Sequence, residues 1–535
     1  MATPDPPSTI PAMLAAVVAS RAGHDAVVTR AERLTYADLD AATARMARAL
    51  LAAGLGKGGR MALLANDGPL WITAFLAGLR IGALVTVLST LATPRELAHM
   101  LRHSDVQLLV ATRRFLGHDY AATLAAALPG LDRASPGRIA LADAPYLRAI
   151  WLDDVTGVPW AGTHAALLDG ADAIPPALLA AAEAQVNPAD DAVIVYTSGS
   201  TALPKAVVHS QWNVTRHPPE LARLFLVRPG NRMLPMLPAF WLGGMAMALQ
   251  VLSQGATLVY PLSPDHEELL RTIRECRVNR LNGWGDGLVR LRAAATSQGI
   301  DVDAIVGLGP FRDAAGTPIP PHLQSNMLGM SETFAPHSAE PIDQPLPPDR
   351  PGASGRAVNG YERRVVDPET GAVLPPGATG ELQLRGGALM SGFYKRRRTE
   401  VFTADGFYPT GDLVTIDADG WLTFVARRND MIKTRAANVS RLEVETALLA
   451  LPGVASAVVT GLPDADFGQV VAAAVVPAPA SRWTEATLRE ELRKVLSSYK
   501  VPRRIVFVAE ADIPRTATGK LRLHDLAALF DAGAR

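Results

Sequence analysis

The sequence predicts an α/β protein: a large N-terminal domain of wound α/β sheets with a small β-rich subdomain, followed by a small C-terminal α/β domain. Three observations carry this. Between residues 61 and 111 strand-like and helix-like patterns alternate, the order that gives parallel strands with helices on the sheet faces. From about 358 to 413 the pattern changes to short strands separated by Gly/Pro turns. Near 429 a further α/β pattern begins and continues for about a hundred residues, the size of an independent domain. At 535 residues the chain is in any case too long for one small core.

Taken in order, Thr35 and Asp38 form a capping box ahead of a helix with Leu39, Ala42, Met46 and Leu50 on one face. A strand (61–65), a helix (69–81), a strand (83–87), a helix (94–103) and a strand (106–111) follow. The stretch 112–189 is rich in Ala and Pro and carries little periodic signal. Past 429, Ser440 and Glu443 read as a capping box before a helix carrying Val444, Leu448 and Leu451. Strands at 455–460, 470–476 and 504–508 follow, with a helix over 484–498 whose apolar face is Leu488, Leu492, Val495 and Leu496.

Two apolar segments bear on membranes. Ile10 to Ser20 resembles a signal core, but it is preceded by Asp5 and by no Lys or Arg, so no secretory signal is expected. Met233 to Leu252 has no charge and could span a bilayer by length. Pro235, Pro238 and Gly243-Gly244 interrupt it, so a buried strand–loop–helix is expected and no transmembrane segment.

Composition sets the class. Apolar residues make up 48% and charged residues 19%, ordinary for a soluble enzyme. Lys+Arg and Asp+Glu are both 52, so no global field draws the chain to nucleic acid. The lone Cys276 allows neither an internal disulfide nor a cysteine metal cluster; a cytoplasmic, reducing compartment and an inert buried thiol are expected. Only seven of the 52 basic residues are lysines, so a lysine inside a motif suggests that a compact ammonium is needed there.

The strongest local signal is YTSGSTALPK (196–205), directly after the strand-like DAVIV. Thr197, Ser198, Gly199, Ser200 and Thr201 offer backbone N–H groups and hydroxyls to phosphate oxygens, and Lys205 adds a point charge. Taken alone, such a loop is more often a plain turn. What outweighs that reading is a set of further segments in one order: PAFWLGG (238–244), LGMSET (328–333), YPTGDL (408–413), ARRNDMIKTRAANVS (426–440) and PRTATGK (514–520). With LTYADL and GLGKGGRMALL near the start, the chain resembles the adenylate-forming enzymes over nearly its whole length. That group contains acyl- and aryl-CoA synthetases, luciferases and peptide-synthetase adenylation domains. The acid–CoA ligase branch is the most similar.

The resemblance implies an ATP-dependent ligase that makes an acyl-adenylate and passes the acyl group to coenzyme A, with Mg2+ at the phosphates. Thr197, Ser198, Gly199, Ser200, Thr201 and Lys205 would hold the ATP phosphates. Thr201 and Glu332 would hold the metal. Leu328, Gly329 and Ser331 would line the AMP site, while Asp412 and Arg427 would hold the ribose; a carboxylate suits a diol because it only accepts. Lys520 would be catalytic together with Glu332, its ammonium bridging the carboxylate and the α-phosphate. Trp241, Gly243, Trp284, Gly329 and Thr333 would line an acyl pocket without a cation, which favours a mainly apolar acid: fatty, alicyclic or aromatic. The resemblance also implies that a domain of residues 1–428 is joined at a hinge, Asn429, to a small mobile domain of residues 429–535. ATP and acid would bind where the two meet, with Lys433 and Ala436 beside the CoA tunnel.

Several positions depart from the common pattern of that group. Ala202, Ala206 and Ala436 stand at usual glycines, Gln211 and Trp241 at usual histidines, Leu328 at a usual tyrosine and Asn429 at a usual Asp or Lys. Three alternatives stay open beside CoA ligation: loading a separate carrier protein, luciferase-type oxidation, and a weakened acyl- or nucleotide-binding descendant. The expected partners are a small carboxylic acid, ATP and CoA. A homodimer is compatible with the sequence.

Overall fold

A computed structural model describes residues 6–197, 205–282, 286–300, 305, 311–358, 360–428, 431–434, 437–464, 468–496, 500–515 and 521–531, without the side chains of 286, 287, 289, 431, 433, 437, 438, 440 and 524. The chain packs into two compact units, Met1–Arg363 with Leu384–Tyr408 and Arg364–Gln383 with Pro409–Arg535.

The first unit carries the wound α/β architecture. One sheet runs Gly392–Phe393, Lys205–Ser210, Asp191–Thr197, Leu84–Val87, Arg60–Leu64, Leu108–Ala111, Ala149–Leu152 and Gly162–Thr163. From Asp191–Thr197 outward its strands are parallel, whereas Lys205–Ser210 returns antiparallel on Asp191–Thr197. Thus the segment 112–189, opaque in sequence, supplies two parallel edge strands. A second sheet runs Arg280–Asn282, Arg232–Pro235, Thr257–Val259, Asp25–Val28 and Arg33–Thr35.

Helices Tyr36–Ala52, Pro69–Arg80, Gln211–Leu224 and Leu242–Ser253 share one core with both sheets, in which Leu39, Leu50, Trp71, Phe75, Met245 and Leu249 are buried. The capping box is present: the Asp38 N–H donates to Thr35 Oγ1 at 3.2 Å, and the Thr35 N–H to Asp38 Oδ2 at 3.0 Å. The uncharged stretch 233–252 is the expected strand, loop and buried helix. Among the described residues no single helix is long and apolar enough to cross a membrane; one pair, His164–Ala173 with Pro176–Ala184, passes by length and composition but is bent by 93°.

Gln211 has a structural use. Its amide is fully buried, accepting from the Ile10 N–H at 3.0 Å and donating to the Leu79 carbonyl at 3.0 Å. One orphan donor at a helix start is thereby satisfied, and the same side chain ties it to a carbonyl at the end of another helix.

In the second unit, strands Glu362–Val366, Thr379–Arg385, Tyr408–Ile416 and Leu422–Arg427 form a sheet that begins at the unit's border. Beyond it, Met431–Thr434, Ala437–Ser440, Val454–Asp464, Gly468–Pro477 and Arg504–Phe507 form another. Val444, Leu448, Val471, Leu488 and Leu492 make its core. The helix expected over 484–498 is shorter, Glu485–Arg493. Leu488 and Leu492 are buried as expected, but Val495 is 67% exposed. Once the helix ends, the i, i+4, i+7 spacing no longer places residue 495 on the same face. Packing groups residues 364–383 and 409–428 with the second unit. Asn429, where the sequence places the domain border, lies outside the described residues.

Candidate active site

The glycine- and hydroxyl-rich loop joins the two strands of a hairpin. Its ends are set by the register, in which Thr197 is the cross-strand partner of Lys205. Residues 198–204, and with them Ser198, Gly199, Ser200, Thr201 and Ala202, lie outside the described residues. Lys205 is exposed, with Nζ 5.5 Å from the centroid of the Phe393 ring. The next four residues of the strand are buried. Alternation puts Ala206 and Val208 on one face, packed with Leu84 and Ile194, so the methyl of Ala206 fills core space. Val207 and His209 point to the other face.

There His209 meets the turn Ser331–Thr333. Its Nε2 lies 2.7 Å from the Ser331 carbonyl oxygen. The Met390 N–H donates to the Glu332 carbonyl at 2.8 Å and the buried Tyr361 hydroxyl to that of Thr333 at 2.7 Å. Three consecutive carbonyls are therefore each held by a different segment of the first unit. The Thr333 hydroxyl closes the turn internally, accepting from the Met330 N–H at 3.1 Å. Phe334 and Ala335 follow at φ +50° and +90°, left-handed positions that cost a non-glycine residue of order 1–3 kcal/mol and persist where the surroundings over-determine them. Gly329 is required by close approach, since a Cβ there would stand 2.5 Å from the Ala335 carbonyl oxygen.

This frame presents the Glu332 side chain. The carboxylate is half-buried, accepts from the Tyr408 hydroxyl at 3.3 Å, and pairs with no cation among the described residues. An acceptor-only group so placed fits a divalent cation, which hard oxygen ligands hold; Thr201, the other expected ligand, is not described.

Behind the turn lie three buried histidines that the sequence reading did not single out. Burial lowers His209 to about 4, His217 to about 4 and His337 to about 3, so all three are neutral near pH 7. His209 and His217 sit edge-on to Phe334 at 5.0 and 6.4 Å, and His217 and His337 edge-on to Tyr361 at 6.0 and 6.2 Å. A lone polar residue at an inward position of an apolar strand was the available signal for His209.

Of the acyl candidates, Trp241 is half-buried and precedes helix Leu242–Ser253, whose first turn holds Gly243. The Trp241 ring lies 5.6 Å from Phe240, edge to face. That helix packs on strand Ala335–Ala339, and Trp241 borders the cluster containing Phe240 and Phe334. Thr333 is fully buried, Leu328 half-buried and Gly329 exposed. The segment is anchored by Asp67, whose Oδ1 accepts from the Ala239 N–H at 2.9 Å; burial pushes this carboxyl up to about 6. Trp284 lies outside the described residues.

In the second unit, Asp412 and Arg427 face each other across an antiparallel ladder. Asp412 has no exposed surface, and Arg427 Nε lies 2.6 Å from its Oδ1. The turn that delivers it is tightly built. The Asp412 N–H donates to Thr410 Oγ1 at 3.0 Å, and that hydroxyl donates to the Leu382 carbonyl at 2.8 Å. Gly411, at φ +75°, donates its N–H to the buried Glu381 at 3.1 Å, and Glu381 pairs with Arg428 at 3.2 Å. Asp412 is thus a buried strand carboxylate paired with a half-exposed Arg427, although Gly-Asp alone reads as a turn. Lys433 lies on strand Met431–Thr434, while Asn429, Ala436 and Lys520 lie outside the described residues.

Comparison with known proteins agrees over the length of the chain. The family model described as AMP-binding enzyme matches residues 14–394, and that of the AMP-binding enzyme C-terminal domain matches 443–520. A 3-hydroxybenzoate–CoA/4-hydroxybenzoate–CoA ligase of Thauera aromatica is 31% identical over 538 residues, covering 95% of each chain. A sulfoacetate–CoA ligase of Cupriavidus necator is 29% identical, covering 91% of each. Among solved structures, the ATP-bound RpMatB–BxBclM chimera B3 superposes with a TM-score of 0.77 at 25% identity, covering 98% of this chain and 99% of that one. With matches of this extent laid over the loops just described, the chain belongs to the AMP-binding enzyme family, on its adenylate-forming acyl-CoA synthetase branch.

Proposed function

We propose that the protein is an ATP-dependent carboxylic acid–CoA ligase acting on a mainly apolar acid. In the first step a carboxylate oxygen bonds to the α-phosphorus of ATP as the bond to the β-phosphate oxygen breaks, releasing pyrophosphate. In the second, the CoA thiolate attacks the acyl carbon; the C–S bond forms as the C–O bond to AMP breaks.

The observation that carries the reading is the Glu332 turn. It is a carboxylate on a backbone fixed at three consecutive carbonyls, with no cation pairing it among the described residues. The first step brings two anions together, so preorganised positive charge has to offset their repulsion. Mg2+, when bound, would neutralise phosphate charge, and Glu332 and Thr201 are the residues to hold it. Ser331 faces the nucleotide phosphate in this reading, Lys205 and the 197–201 loop hold the leaving pyrophosphate, and Asp412 with Arg427 holds the ribose. Lys520 supplies the ammonium of the first step, Asn429 is the pivot, and Lys433 and Ala436 flank the entering CoA.

The nature of the acid is supported by Trp241, Phe240 and Phe334 on one apolar cluster and by the absence of Lys and Arg from the lining candidates Trp241, Gly243, Trp284, Gly329 and Thr333. Relatives named for hydroxybenzoate and for sulfoacetate stand at nearly equal identity, so identity alone does not select the acid. The deciding experiment is acid-dependent pyrophosphate release over fatty, alicyclic, aromatic and charged carboxylates. Each is run with CoA, with a phosphopantetheinylated carrier protein, and with neither. Release with apolar acids and thioester on CoA is expected. Thioester on the carrier alone would overturn the acceptor, and preference for a charged acid would overturn the substrate class.

A further inference from the structure

We propose that His209 is a positioning residue of the adenylation step, holding the Ser331–Thr333 turn against strand Lys205–Ser210 through an Nε2–H bond to the Ser331 carbonyl. The proposal rests on the adenylation reading of that turn and of the phosphate loop before the strand. Its geometry does not. His209 stands four residues after Lys205 on the strand that leaves the phosphate loop, and it reaches the backbone of a residue 122 positions away at 2.7 Å.

The chemistry of the contact fixes the ring's state. A carbonyl oxygen can only accept, so Nε2 must carry the proton. Nδ1 is buried and has no hydrogen-bond partner among the described residues, which leaves it as the bare nitrogen of a neutral imidazole. A buried ring with one unsatisfied nitrogen is costly compared with an apolar side chain. Strand alternation alone would be served by valine or leucine at 209, as it is by Val207. What histidine adds is one donor aimed at Ser331, the residue whose hydroxyl faces the nucleotide in this reading. Strand Lys205–Ser210 also carries Gly392–Phe393 on its far edge, and Ser391 N–H donates to the Val208 carbonyl at 2.9 Å. Met390, which holds the Glu332 carbonyl, is the residue just before. The strand therefore grips the turn twice, directly through His209 and indirectly through 390–393.

The test uses two variants that differ in reach. In His209→Gln the amide nitrogen is the same number of bonds from Cβ as Nε2 and can still donate to the carbonyl. In His209→Asn it is one bond short. AMP affinity by calorimetry and KM for ATP should stay near wild type in the Gln variant. In the Asn variant each should worsen roughly ten-fold, the order expected for a lost buried hydrogen bond, at a melting temperature matching that of the Gln variant. Combined with Ser331→Ala, which keeps the carbonyl but deletes the hydroxyl, the Asn substitution should add little, because the lost His209 bond acts by misplacing that same hydroxyl. Ring nitrogen NMR of the wild type should show His209 as the Nε2–H tautomer, an observation that needs no variant to fold. The Nδ1–H tautomer, additive losses with Ser331→Ala, or equal Gln and Asn variants with unchanged KM would each overturn the proposal. A wild type that binds AMP with this tautomer but releases no pyrophosphate with any acid would sink the ligase reading alone.

Discussion

At the scale of single residues, burial turns ambiguous letters into assigned ones. Asp412 and Arg427 are, in the sequence, a turn carboxylate and half of a basic pair. In the fold they are cross-strand partners at 2.6 Å, the acid wholly buried. Removing Arg427 would leave the buried Asp412 charge uncompensated, whereas the arginine itself keeps half of its side chain in solvent. Trp241 is the residue whose size should be read out most directly. Its indole is half-buried at the start of the helix that packs on strand Ala335–Ala339. Trp241→Ala should open space there and shift the ranking of accepted acids toward bulkier ones, measured as kcat/KM over a size series. An unchanged ranking in a folded variant would remove Trp241 from the acyl pocket. Residue chemistry was legible where it came in an ordered motif. It was not legible for His209, Tyr361 or Glu381, whose partners are distant in sequence and whose own neighbours look like ordinary strand.

At the scale of elements, the turn 331–335 is held by contacts that also set a pH limit. His209, His217 and His337 are neutral in the fold because burial lowers them to about 4, about 4 and about 3. In the unfolded chain they titrate near 6.5. Above that pH both states are neutral and the three make no difference. As pH falls below it, the unfolded state binds protons that the folded state does not, so stability is lost. Asp67, raised to about 6, works in the opposite sense, since the fold takes up its proton first. The net uptake below pH 6 is then two protons from these four groups, a loss on the order of 3 kcal/mol per pH unit. Denaturant midpoints of the first unit between pH 7 and 5 should fall accordingly. His209→Gln should reduce the slope by about one proton, or about 1.4 kcal/mol per unit; an unchanged slope would mean that His209 is not held neutral. The order of elements was readable from periodicity. Their ends were less so: the helix at 485 stops at Arg493 and leaves Val495 exposed, while Leu496, whose N–H reaches the Leu492 carbonyl at 2.8 Å, is buried.

At the scale of the whole molecule, the sequence points to two domains through a change of pattern, and the division by packing falls at 363/364, 383/384 and 408/409. Sheet pairing decides this: Tyr408–Ile416 and Leu422–Arg427 join strands that precede them by some 25–60 positions, which no local pattern announces. The proposed pivot at Asn429 and the proposed catalytic Lys520 make separate predictions. Asn429→Pro fixes φ and removes an N–H; it should spare acyl-adenylate formation and slow thioester formation. Lys520→Ala should do the reverse. Adenylation should fall by roughly 10²–10³-fold, as for loss of one preorganised donor, while thioester formation from presynthesised acyl-AMP and CoA stays near wild type. Lys520→Arg should rescue poorly, since a planar fork does not replace a compact ammonium. Equal damage to both steps in either variant would assign that residue to structure.

The central claim is that the chain joins a carboxylate to the α-phosphate of ATP with reversible loss of pyrophosphate. Exchange of labelled pyrophosphate into ATP tests it most directly, because exchange requires an enzyme-held adenylate and needs no thiol. The expected result is Mg2+-dependent exchange that appears only when an apolar carboxylic acid is added and proceeds without CoA. Acid-dependent release of inorganic phosphate and ADP, or no exchange with any acid in a preparation that binds AMP, would contradict it.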